Sequence, residues 1–135
     1  KVVMHGGAAF AAFCARVEAS VARAQARVAL AAHASALAGV LARLREVTRK
    51  LWSLGDVVLT LANASVYLEA FGHITVAWIW LEQALAAHGR DGDFYDGKRS
   101  ATDYFMRWEL PKVHLQLDLL ESCERTPLDI RAACF

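Results

Sequence analysis

The 135-residue chain is 56% apolar with a formal net charge of +1. A chain of this size buries roughly two-thirds of its unfolded surface, enough for one core without metal or disulfide staples. The odd number of cysteines, Cys14, Cys123 and Cys134, with no C-x-x-C pair, argues against a disulfide framework and predicts a reducing, cytoplasmic setting.

Charge is unevenly distributed. Residues 1–50 hold eight Lys/Arg against two Asp/Glu, and residues 51–135 hold seven against twelve. The acidic half supplies an intramolecular counterpart to the basic one, so the asymmetry is read as self-complementarity rather than a nucleic-acid face. The chain starts at Lys1, and residues 1–7 lack the basic segment, apolar core and cleavage site of a signal peptide. It is expected to be part of something longer, with residues 1–135 forming a single helical domain.

Prolines occur only at positions 111 and 127, and apolar residues recur at threes and fours, which predicts an all-α antiparallel bundle of four principal helices. The first helix is expected over residues 8–36, with Phe10, Phe13, Val17, Val21, Val28 and Leu30 near one face and Arg16, Arg23 and Arg27 on a solvated one. The second, over residues 37–54, carries Leu37, Val40, Leu41, Leu44, Val47, Leu51 and Leu54. Gly55 suits a left-handed helix end, and Asp56 suits the cap of the next helix.

The third helix, over residues 57–88, is apolar around most of its circumference, from Leu59 through Phe71 and Ile74 to Trp80 and Leu81. It reads as the central strut rather than a membrane span, because Asn63, Glu69 and His73 fall inside it and a central charge costs roughly 2.5 to 3.5 kcal/mol on insertion. Ala62, Ser65 and Gly72 form a small-residue strip on which Gly72 is expected to let a neighbouring helix approach, so Gly72→Leu should destabilise by overpacking. A polar turn over residues 88–93 precedes a fourth helix that starts near Asp93 or Phe94 and carries Tyr95, Ala101, Tyr104, Phe105, Trp108, Val113, Leu117 and Leu120. Pro111 should kink it near Leu110. Thr126 followed by Pro127 predicts a cap and a last short helix or turn through Ile130.

No local motif assembles a nucleophile and base, a P-loop or a dinucleotide-binding turn. No catalytic, cofactor-binding or metal-binding residue is therefore assigned. A di-iron bundle requires paired Glu-x-x-His spacings, whereas Glu69 and His73 are four apart and Glu109 and His114 five apart. Glu69 and His73 are read instead as a buried hydrogen-bonded pair; with Ser65 they share a ridge that could meet a basic side chain from another helix. His5, His33, His88 and His114 show no ligand spacing. Trp78 and Trp80 point about 200° apart on a helix, so covering both needs partners on two sides, one of them another subunit or a further domain.

Two blocks carry a family resemblance. The first, residues 62–78, contains Tyr67, Leu68, Phe71 and Gly72 in a Tyr-Leu-x-x-Phe-Gly arrangement followed by Trp78. The second, residues 94–111, contains Lys98, Ala101 or Thr102, Tyr104/Phe105 and Leu110-Pro111. The chain resembles the C-terminal accessory domain of the acyl-CoA dehydrogenases, in the branch related to 3-methylmercaptopropionyl-CoA dehydrogenase. The resemblance covers residues 37–120; the arginine-bearing first helix and residues 124–135 have no counterpart in it.

The resemblance implies a parent enzyme that oxidises acyl-CoA to enoyl-CoA with FAD, in fatty acid metabolism. Flavin, substrate and catalytic glutamate then lie in the preceding core, with no cofactor in this chain, and neither Glu69 nor Glu109 matches the base. The expected partners are the remainder of the dehydrogenase or a second subunit in a homo-oligomer, with no nucleic acid and no membrane span. The alternatives are a stand-alone α-helical interaction or scaffold module, and a small-ligand bundle holding an acyl chain among Trp78, Phe71 and Phe105.

Overall fold

The computed structural model describes residue 2 and residues 4–134, and among them there is no strand. After a 3-10 turn at Met4–Gly7, the α-helices are α1 (Ala8–Gln25), α2 (Ala31–Ser53), α3 (Val57–Leu61), α4 (Ala64–Ala87), α5 (Asp93–Tyr104), α6 (Lys112–Glu121) and α7 (Thr126–Asp129). A π-helical segment, Phe105–Glu109, joins α5 to α6, so the two act as one bent rod. The expected all-α bundle of four principal rods is what forms: α1, α2, α4 and α5–α6.

Successive rods are antiparallel, and cross-contacts fix how the rest lie. Phe13 meets Phe71 and Trp78 while Arg23 meets Glu82, so α1 and α4 run parallel as neighbours. His33 meets Asp103 while Arg43 meets Asp118, so α2 and α5–α6 are also parallel neighbours. Helices α2 and α4 touch across the centre. The core is Val17, Leu37, Leu41 and Leu44 from the first two rods against Ile74, Leu81, Leu110, Leu117 and Leu120 from the others, all at most 2% exposed.

Helix boundaries differ from the sequence expectation in three places. The first helix ends at Gln25, not near residue 36, because Arg27 is extended (φ −119°, ψ 114°) and a 3-10 turn, Val28–Leu30, leads into α2. A continuous 29-residue helix would be about 44 Å long and would leave half of its apolar stripe without a partner. Reversal at Arg27 brings Leu30, Ala34 and Leu37 against the same core as Val17 and Val21, leaving Val28 98% exposed at the tip. The turn needs neither glycine nor proline, since Arg27 N–H donates to Ala24 O and Leu30 N–H to Arg27 O.

The third helix is interrupted at residues 62–63. Asn63 leaves helical geometry (φ −115°, ψ 36°) and donates its side-chain amide to Glu124 O at 2.8 Å, the competition with backbone bonding that short polar side chains offer. Gly55 is left-handed (φ 71°) and Asp56 caps α3 by accepting Leu59 N–H at 3.1 Å, both as expected.

Pro111 acts as expected, with added detail. It has no N–H and crowds the carbonyl one turn back, and the preceding turn widens so that Leu110 N–H reaches Phe105 O at 2.9 Å. The buried line of this rod is Thr102, Met106, Leu110, Val113, Leu117 and Leu120, whereas Tyr104 and Trp108, read as part of the apolar face, are 58% and 67% exposed. Thr126 is the first residue of α7 rather than its cap; Arg125 holds the cap position, and Glu124 accepts Thr126 N–H.

Gly72 is the remaining correction. A Cβ built there meets nothing within 4 Å, so no neighbouring helix of this chain approaches it and the overpacking expected of Gly72→Leu has no cause within the bundle.

Candidate functional site

Polar seams tie the rods together. Between α1 and α4, Trp78 Nε1–H donates to Ser20 Oγ at 2.7 Å, Ser20 bonds Glu82, and Arg23 pairs with the same carboxylate. Between α2 and α6, Arg43 donates to Asp118 at 2.7 Å and Glu121 at 3.4 Å, and Lys50 reaches Glu121 O. These pairs join the basic and acidic halves, as the charge distribution foretold. Arg45 instead pairs with Glu18 within the basic half.

Glu69 and His73 do not form the expected buried side-chain pair. Glu69 is exposed and accepts Gln116 Nε2–H at 3.2 Å; His73 bonds the Glu69 backbone carbonyl and faces Glu109 at 3.8 Å. One turn of α4 aims these side chains at different turns of the opposing rod. The basic group of this seam is Lys112, which donates to Glu109 at 2.7 Å rather than meeting Ser65 or Glu69. That bond, with a smaller contribution from His73, holds the Glu109 carboxyl below the usual glutamate range. His114 lies apart, beside Arg43. Among the described residues no group of three or more His, Cys, Asp or Glu could hold a metal.

Both central tryptophans are half-buried and find partners within the chain. Trp78 packs edge-on against Phe13, and Lys98 of α5 lies over Trp80 at 5.6 Å. Phe71 belongs with Phe10 and Phe13, whereas Phe105 sits beside His73, so Trp78, Phe71 and Phe105 do not line one cavity.

An open groove of about 550 Å³, lined by Phe10, Phe13, Tyr67, Leu68 and Phe71 with Val2, Ala9 and Ala64, lies at the start of α1 and α4. Among the described residues that line it, none is cationic. A polar cavity of about 370 Å³ at the opposite end contains His33, His88, Arg90, Arg99 and Asp103. Its arginines are engaged: Arg99 with Ala87 O, Arg90 O and Asp96, and Arg90 with the Tyr95 hydroxyl.

The surface that sequence reading missed is the outward side of α4, where Leu68, Val76 and Ile79 are 70%, 39% and 47% exposed. A helical wheel carries the signal, since Leu68, Gly72, Val76, Ile79 and Gln83 share a face without a charge. The long apolar stretch suggested burial all round, but neighbours cover only the other sides.

The described residues thus form an all-helical bundle held by interlocking polar seams, with an uncharged strip along the outward side of α4. The chain belongs to the acetyl-CoA dehydrogenase C-terminal like family, whose model matches residues 11–131, and is thus a C-terminal domain of an acyl-CoA dehydrogenase-like protein. No curated protein and no solved structure matches it. The family match extends over the arginine-bearing α1 and the tail through residue 131, where the sequence resemblance had no counterpart.

Proposed function

We propose that this domain is a non-catalytic helical module of a flavin-dependent acyl-CoA dehydrogenase, supporting packing or oligomer assembly of an enzyme that converts acyl-CoA to enoyl-CoA. The family match over residues 11–131 carries this reading. The sequence blocks around Phe71-Gly72 and Leu110-Pro111 favour the branch related to 3-methylmercaptopropionyl-CoA dehydrogenase. Flavin and the reacting thioester belong to the polypeptide preceding this domain, in the cytoplasm. The partners are that core or a second subunit, and neither nucleic acid nor a membrane is one of them.

One segment, Val28–Ser53, is long and apolar enough to cross a bilayer. Its Leu37, Val40, Leu41 and Leu44 supply the bundle core, which accounts for that composition. The test is a titration of the purified chain with FAD and a medium-chain acyl-CoA. Neither stoichiometric flavin binding nor turnover with an artificial electron acceptor is expected; observing either one overturns the reading.

A further inference from the structure

We propose that the outward face of α4, with the Arg16–Arg27 edge of α1 beside it, docks a second helical face that is apolar along its middle and carries carboxylates on the flank meeting α1. The inference rests on the accessory-domain reading for the partner's location, which is the preceding part of the same dehydrogenase.

The face is unusual for one left to water. Leu68, Gly72, Val76, Ile79 and Gln83 recur on it without a charge, although solvent-facing sides of bundle helices ordinarily carry charged residues. Gly72, mid-helix, has open space where a Cβ would lie. Glycine there weakens the helix relative to alanine, and no close approach within this chain compensates for it.

The edge of the face supplies the charge argument. Arg23 is neutralised by Glu82, but among the described residues no ion pair reaches Arg16 or Arg27. Arg27 and Arg23 flank a groove whose floor includes Leu85 and Ala86 and whose one carboxylate is Glu82. The surface therefore presents an apolar strip with a positive margin. Arg16 and Arg27 find no carboxylate on this chain among the described residues, so the complementary partner carries an acidic flank. From Leu68 to Gln83 the strip runs about 22 Å along α4, and with the adjoining side of α1 it is about 20 Å wide, about half of the roughly 800 Å² per partner of a standard interface.

The experiment places a photo-cross-linker in the natural polypeptide as Ile79→p-benzoylphenylalanine, with Val28→p-benzoylphenylalanine at the fully exposed turn as reference. The expected product joins position 79 to an apolar helix outside residues 1–135 that has Asp or Glu within a turn of the linked residue. Arg16→Glu with Arg27→Glu should cut its yield about tenfold, the factor for 1.4 kcal/mol, while leaving the melting temperature of the isolated chain unchanged. A link from 79 to 79 of a second copy, a yield no higher than from position 28, or indifference to the charge reversal overturns the proposal. A link to such a helix in a polypeptide without a flavin core overturns the accessory-domain reading but not the docking surface. A flavin core present but never linked has the opposite meaning.

Discussion

Replacing Gly72 by alanine tests whether the outer face of α4 is open within this chain. Glycine costs about 0.8 to 1 kcal/mol relative to alanine inside a helix, and the added Cβ at position 72 finds nothing within 4 Å. No steric term opposes the gain, so Gly72→Ala should stabilise the isolated chain by about that amount. With an unfolding entropy of about 2.1 cal/mol/K per residue, a 135-residue domain should melt about 3 to 4 °C higher. Gly72→Leu should also raise the melting temperature, because the larger side chain points into the same open space. Thermal and urea unfolding followed by helical circular dichroism measures both variants. A lowered melting temperature for Gly72→Ala would show that a neighbour occupies that space and refute the reasoning.

Leu117 is fully buried, so Leu117→Ala should cost about 2 to 5 kcal/mol, seen as a lower urea midpoint with an unchanged slope; a loss below 1 kcal/mol would place it outside the core. Glu109, held low chiefly by the Lys112 hydrogen bond and then by His73, contributes stability that is present above its unfolded pKa and lost as pH falls through its lower folded value. Lys112→Ala should therefore weaken the acid dependence of unfolding, and an unaltered pH profile would contradict the pairing. Burial raises the Cys14 thiol pKa against an opposing effect of Arg45, whereas Cys134 is exposed. Ellman's reagent should thus label Cys134 quickly and Cys14 only after denaturation; equal rates in the folded chain would show that Cys14 is accessible.

The principal helices were legible where local chemistry and tertiary need agree. Gly55-Asp56 and Pro111 carry their turn and kink in their own backbone preferences, and the apolar period of Leu37 to Leu51 survives intact. The reversal at Arg27 was not legible, because its surroundings are rich in alanine and contain no breaker. Only the need of Leu30, Ala34 and Leu37 to share a core with Val17 and Val21 ends the helix there. Asn63 was visible but read as a helical residue, since its partner Glu124 O lies 61 positions away. Among the polar seams, the pairing of the two halves could be foreseen from charge. The separate partners of Glu69 and His73 could not, because they depend on the rotation of α6 relative to α4. The uncharged face of α4 was written in the sequence, but which side lacked neighbours became visible only with the bundle assembled.

Deleting this domain from the natural enzyme and measuring assembly and acyl-CoA oxidation per bound flavin in the same preparation tests the central claim most directly. The account predicts loss of solubility, oligomer or flavin retention, because the surface that α4 covers is exposed, with the turnover of whatever flavin-loaded enzyme remains unchanged. Intact assembly and flavin content with a fall in turnover would contradict it, placing a group of this domain in the chemistry itself.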